Sequence, residues 1–198
     1  MERQGELEKL LATAEPPELG SVARAGVQTE AALQRTLNDV LPTSKIPEER
    51  QQLIRALLLL WHDHLEPAHV IAQSIDNADG AFMHGIMHRR EPDYGNAKYW
   101  FRRVGNHPAF ADIAKRATVL LDAKGQSALL RRLMPNGDWD SFAFIDLCEE
   151  VAKKKTGDPT VSLLREIQRI ETEALLDTFV QLARSEPAIN VEAFKRRI

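Results

Sequence analysis

His84 and His88 stand four residues apart, one turn of an α-helix, so their imidazoles face the same way and could share one metal ion. His69 brings a third imidazole from a short way upstream, and His62 and His64 form a reserve pair. All six histidines of the chain lie between His62 and His107. A neutral imidazole ligates metals, and its ordinary pKa lets it move protons near neutral pH. His69, His84 and His88 are therefore the candidate ligands of one divalent ion, zinc or iron, and the candidate acid–base groups. A bound ion would acidify its water and polarise a substrate oxygen, which makes hydrolysis the simplest reaction class. The bland counterpart is a pair of core histidines bonded to carboxylates or backbone, since the spacing is short and lacks the glutamate of the zincin helix.

Nearby carboxylates do not extend this to two metals. Glu66 and His69 have the Glu-x-x-His spacing of carboxylate-bridged di-iron bundles, and His88 with Glu91 has it reversed. Both glutamates precede prolines, which disfavours the helical conformation that would aim them inward. Asp63, between His62 and His64, could orient a ring or simply end a helix. Gly85, between the paired histidines, leaves room for a neighbouring backbone or a ligand to approach.

A second chemistry lies just downstream. From Arg89 to Arg103 there are five lysines and arginines against Glu91 and Asp93, in a chain of net charge -3. Guanidinium groups present paired donors to carboxylate or phosphate. Arg89, Lys98, Tyr99, Arg102 and Arg103 are accordingly read as a wall for a small anionic ligand. The same arginines could instead close a bundle by pairing with acidic residues elsewhere, and the protein would then be a non-catalytic binding or helical interaction protein. One short basic-aromatic segment in an acidic chain does not make a nucleic-acid platform.

Other chemistries find no footing. Cys148 is the only cysteine; with no histidine near it in sequence it reads as a buried thiol, and a reducing, cytoplasmic setting is expected. There is no Gly-x-Ser-x-Gly elbow and no glycine-rich phosphate loop. The start lacks the layout of a signal peptide, and the longest apolar run, residues 56–61, is far short of a membrane span. A soluble protein is expected.

The elements that must position these residues are helical. Apolar residues recur at three- and four-residue spacing, with no sustained alternation of period two, which predicts a single all-α domain over residues 1–198. Residues 1–20 read as a loosely attached N-terminal segment carrying a helix over 7–14, closed by Pro16 and Pro17. Thr29 opens a second helix; Pro47 takes the first position of a third, stopping near Leu65. Further helices are predicted over 67–75, 81–90 and 96–104, then through Ile113 to Leu121 and around Leu129 to Leu133. The turn 76–80 lacks calcium-loop spacing. Asp138 is expected to cap a helix carrying Trp139 and Cys148 and ending in Lys153, Lys154 and Lys155, and Asp158-Pro159 to open a long last helix. The helices between His62 and Val104 should form the centre of a bundle with a histidine-rich core.

The run from His88 to Pro108, reading HRREPDYGNAKYWFRRVGNHP, resembles a group of uncharacterised bacterial and fungal proteins that share a similar histidine-rich block upstream. The resemblance covers roughly the central third of the chain and implies no activity.

Overall fold

The computed structural model describes residues 2–153 and 158–185. The described residues form ten α-helices and no strand, as the periodicity predicts. In order they are α1 (Glu2–Leu10), α2 (Glu30–Val40), α3 (Glu48–Trp61), α4 (Leu65–Ala72) and α5 (Ala78–Arg90), then α6 (Tyr94–Val104), α7 (Ala109–Ala123), α8 (Ser127–Leu133), α9 (Ser141–Ala152) and α10 (Pro159–Ser185). None is long and apolar enough to cross a membrane. Of the expected basic end to α9, Lys154 and Lys155 lie outside the described residues.

Short polar side chains start these helices by accepting from otherwise orphaned N–H groups. Thr29 accepts from Ala32 (3.3 Å), Asn77 from Gly80 (2.9 Å) and Asp93 from Asn96 (3.1 Å). These last two caps start α5 and α6 earlier than the apolar pattern alone suggests. Asp140, rather than Asp138, caps α9 by accepting from Phe142 and Ala143, each at 2.9 Å, so Trp139 precedes the helix. Pro47 is the N-cap of α3, one residue outside the helix. Pro67 lies inside α4, in its first turn, where a missing N–H costs nothing.

The long apolar face of α3 is the centre. Leu53, Ile54 and the unbroken run from Ala56 to Trp61 are buried, because α4, α5 and α10 pack around this helix. Helix α5 is buried on nearly every side, with α6 laid along it. Gly85 makes this approach possible: a Cβ there would stand 2.5 Å from the ring of Phe101. The neighbour that Gly85 admits is thus an α6 side chain.

The N-terminal segment packs onto the bundle. Leu7, Leu10 and Leu19 join the core; Arg165 donates to the carbonyls of Pro16 (2.5 Å) and Pro17 (3.3 Å), and Gln168 to that of Pro17 (3.1 Å). The α3–α4 turn locks the same region. Asp63 adopts a left-handed φ of 66°, uncommon for a residue with a Cβ, and its buried carboxylate holds two arginines there. Arg24 donates from its backbone (3.0 Å) and side chain (2.8 Å), and Arg90 from the other side (2.7 Å). Burial alone would raise the Asp63 pKa, but these donors and the Arg90 charge outweigh it and hold the pKa below the usual carboxylate range.

A lowered folded-state pKa contributes stability that is full above the unfolded value, about 3.9, and is lost as pH falls through the folded value. Asp63→Asn should therefore be less stable than wild type by about 1.5–3 kcal/mol at pH 7. The two should converge in acid, as wild type loses the same contribution. Urea melts from pH 7 to 3 check this, and parallel curves for the two proteins would refute it.

Candidate functional site

Three of the six histidines come together. His69, from α4, lies edge-on to His84 with ring centroids 5.3 Å apart and to His88 at 6.0 Å. His84 and His88, one turn apart on α5, are 6.3 Å apart with rings inclined by only 22°. The Asn77-capped turn between α4 and α5 brings the first ring onto the other two.

Each ring is held differently. His84 Nδ1 donates to the Gly80 carbonyl at 3.0 Å, a bond that fixes the tautomer and leaves Nε2 with a free lone pair. Its ring stacks on Trp100 of α6 at 4.0 Å and 12°. Arg103 also lies over this indole, its guanidinium carbon 5.2 Å from the ring centroid. His88 has Glu91 Oε2 3.3 Å from Nδ1 and the Asn96 amide nitrogen 3.1 Å from Nε2. The half-buried His69 ring has no hydrogen-bond partner among the described residues.

Burial pushes the pKa of His84 below its ordinary value; the Gly80 carbonyl opposes the shift, and His69, His88 and Arg103 reinforce it. Burial also lowers that of His88, although Glu91 and Asp93 pull the other way. Both are neutral rings at neutral pH, the form that binds metals. As the side chains stand, no group of three or more His, Cys, Asp or Glu among the described residues is arranged to hold an ion.

The reserve histidines belong to the architecture. His62 Nε2 meets the Leu10 carbonyl at 2.9 Å, and its Nδ1 accepts from Gln28 at 3.2 Å. His64 Nε2 meets the Gln28 carbonyl at 2.9 Å. His107 is also occupied: its Nδ1 accepts from the Ala109 amide (3.1 Å), which directs its Nε2 proton to Asp79 (2.7 Å).

The expected basic wall is dispersed. Arg89 does not face a cleft; its side chain is fully buried beneath Phe144, 4.4 Å from ring to guanidinium carbon, and paired with both oxygens of Glu171. Burial opposes the Arg89 charge, but Glu171 outweighs it and raises the pKa. Lys98 reaches Asp146 of α9 at 2.5 Å, and Arg102 lies 5.7 Å from the Phe142 ring. Of the expected wall, Tyr99 and Arg103 lie beside Trp100, the ring on which His84 stacks. Tyr99 is about half exposed beside Trp100, and Arg103 is paired with the exposed Asp76 at 2.7 Å.

Sequence reasoning passed over Trp100 as a site residue and Gly80 as the carbonyl that aims His84. Asn96, Tyr99 and Arg103 do recur at the three- and four-residue spacing of one helix flank, and that is the signal by which Asn96 could have been grouped with the site. No family model matches the chain, and no curated protein or solved structure is found to be similar to it.

Proposed function

We propose that the protein binds one divalent transition-metal ion, zinc or iron, through His69, His84 and His88, and that the bound ion activates water for hydrolysis of a small anionic substrate approaching from the Tyr99 and Arg103 side. The spacing of the three rings supports this reading. Imidazoles bonded to one tetrahedral ion at about 2.0–2.1 Å have ring centroids about 5 Å apart. The three separations here, 5.3, 6.0 and 6.3 Å, are longer than that by amounts ranging from a few tenths of an ångström to a little over 1 Å. Binding requires the rings to turn about their side-chain torsions so that their nitrogens meet one ion, and His88 to exchange its Asn96 contact for the metal. Three histidine ligands leave a fourth position for water, the arrangement of catalytic rather than structural sites.

A second reading has its own observation. The stacking of His84 on Trp100 and the hydrogen bond from the Asn96 amide to His88 are also what a purely architectural cluster would use to pin α5 to α6. Metal titration of tag-free protein separates the two. One equivalent of zinc should bind and raise the melting temperature by mass action, and His84→Ala should weaken binding about a hundredfold or more. Phosphate should stabilise the zinc-loaded protein beyond a chloride control at matched ionic strength, and the metal-free protein no more than chloride does. Sub-stoichiometric zinc, or binding indifferent to His84→Ala, would leave the architectural reading.

A further inference from the structure

A separate cleft of about 1130 Å³ opens beside Phe101, between α7 and the segment that leads from α8 into α9. It is slightly larger than the usual range for small-molecule sites, about 300–1,000 Å³. Its walls are fixed before any ligand arrives. On one side His107 is bonded to Asp79 and to the Ala109 amide. On the other the Asp140 amide donates to the Leu133 carbonyl at 2.8 Å while its side chain caps α9. Preformed walls lower the ordering cost of binding.

The lining is of two kinds. Half-buried Phe110 and Phe142 supply aromatic surface. Around them Asn106, Asn136, Asp138 and Lys115 are exposed and have no hydrogen-bond or ion-pair partner among the described residues. Trp139 also lines the cleft, and although the residue is only 7% exposed its indole N–H finds no acceptor.

The donors and acceptors discriminate among ligands. An anion would want donors only and a cation acceptors only, but here one ammonium and one carboxylate share the lining with two amides that both give and take. Hydroxyl groups also give and take, and the C–H face of a saturated ring suits the electron-rich face of an aromatic side chain. We propose that this cleft binds an uncharged polyhydroxylated ligand, a sugar of two or more rings, seated on the aromatic side chains with its hydroxyls on Asn106 and Asn136, and with Trp139 in the wall as its reporter. The site is independent of the histidine cluster.

Three tryptophans give three indole N–H resonances, and Trp139→Phe assigns the relevant one. Maltose, cellobiose, chitobiose and maltotriose, each titrated to roughly 10 mM, are the probes, with adenosine and inorganic phosphate as controls. At least one sugar should shift the Trp139 resonance saturably while the Trp61 and Trp100 resonances stay in place. Asn136→Ala, an exposed change that leaves the fold intact, should weaken that binding about five- to tenfold, and His84→Ala should leave it unchanged. No shift from any sugar, a shift from adenosine or phosphate instead, or a sugar response indifferent to Asn136→Ala would each overturn the proposal.

Discussion

Glu171→Ala is expected to cost about 3–5 kcal/mol, because it strands a charge in the core. Arg89 and Glu171 both have fully buried side chains and meet through both carboxylate oxygens. Arg89 has little else to turn to: Gln168 is 3.5 Å away, and its Nε already lacks a partner. Replacing both members with apolar residues of similar volume, as in Arg89→Met with Glu171→Leu, should recover most of the loss, since no charge is then left without its counter-charge. Cys148 reports the opening directly. Burial pushes its thiol up to about 12, so it should react with a thiol reagent at pH 8 only when the core opens. Glu171→Ala should speed that reaction by about a hundred- to several-thousandfold, the Boltzmann equivalent of 3–5 kcal/mol. A variant as stable and as unreactive as wild type would show that the pair is not the electrostatic centre of the core.

The same pair marks where sequence reasoning stops. Helices with apolar periodicity and polar caps could be read off directly, because capping and amphipathicity are local: Thr29 and Asp158 were placed from their neighbours alone, and both accept from the expected backbone amides. The convergence of His84 and His88 was legible for the same reason, being a property of one helix turn. Arg89 was not. Each residue along a helix turns the side chain by about 100°, so the residue after His88 leaves the histidine face and enters the core, where its partner lies 82 residues away in sequence. No spacing rule carries that information. His62 and His64 were ambiguous in the same way, since their partners are carbonyls and amides of an N-terminal segment whose path only packing determines. Asp63 could be seen as a turn residue, but not as the anchor of two arginines.

Gly80→Ala should disrupt both the fold and the candidate site. Alanine ordinarily favours a helix over glycine by about 1 kcal/mol, so the sign here depends on the space around the added methyl. At Gly80 there is none: its Cβ would collide with the Ile75 carbonyl oxygen and lie 3.0 Å from the carbonyl carbon and 3.1 Å from the Ile75 Cβ. Backbone cannot swing aside as a flexible side chain can, so the α4–α5 turn must shift, at about 1–3 kcal/mol net. That turn sets His69 against His84, and the Gly80 carbonyl itself fixes the His84 ring. Zinc affinity should therefore fall about 10–100-fold, the usual effect of losing a group that orients a ligand. Gly95→Ala is the control, because its Cβ would meet nothing closer than Asp93 Oδ1 at 3.9 Å; it should stabilise α6 by about 0.4–1 kcal/mol and leave zinc binding alone. Melting curves and zinc titrations of the two variants side by side decide the matter. If Gly80→Ala keeps wild-type zinc affinity despite a destabilised turn, the carbonyl does not aim His84 at an ion.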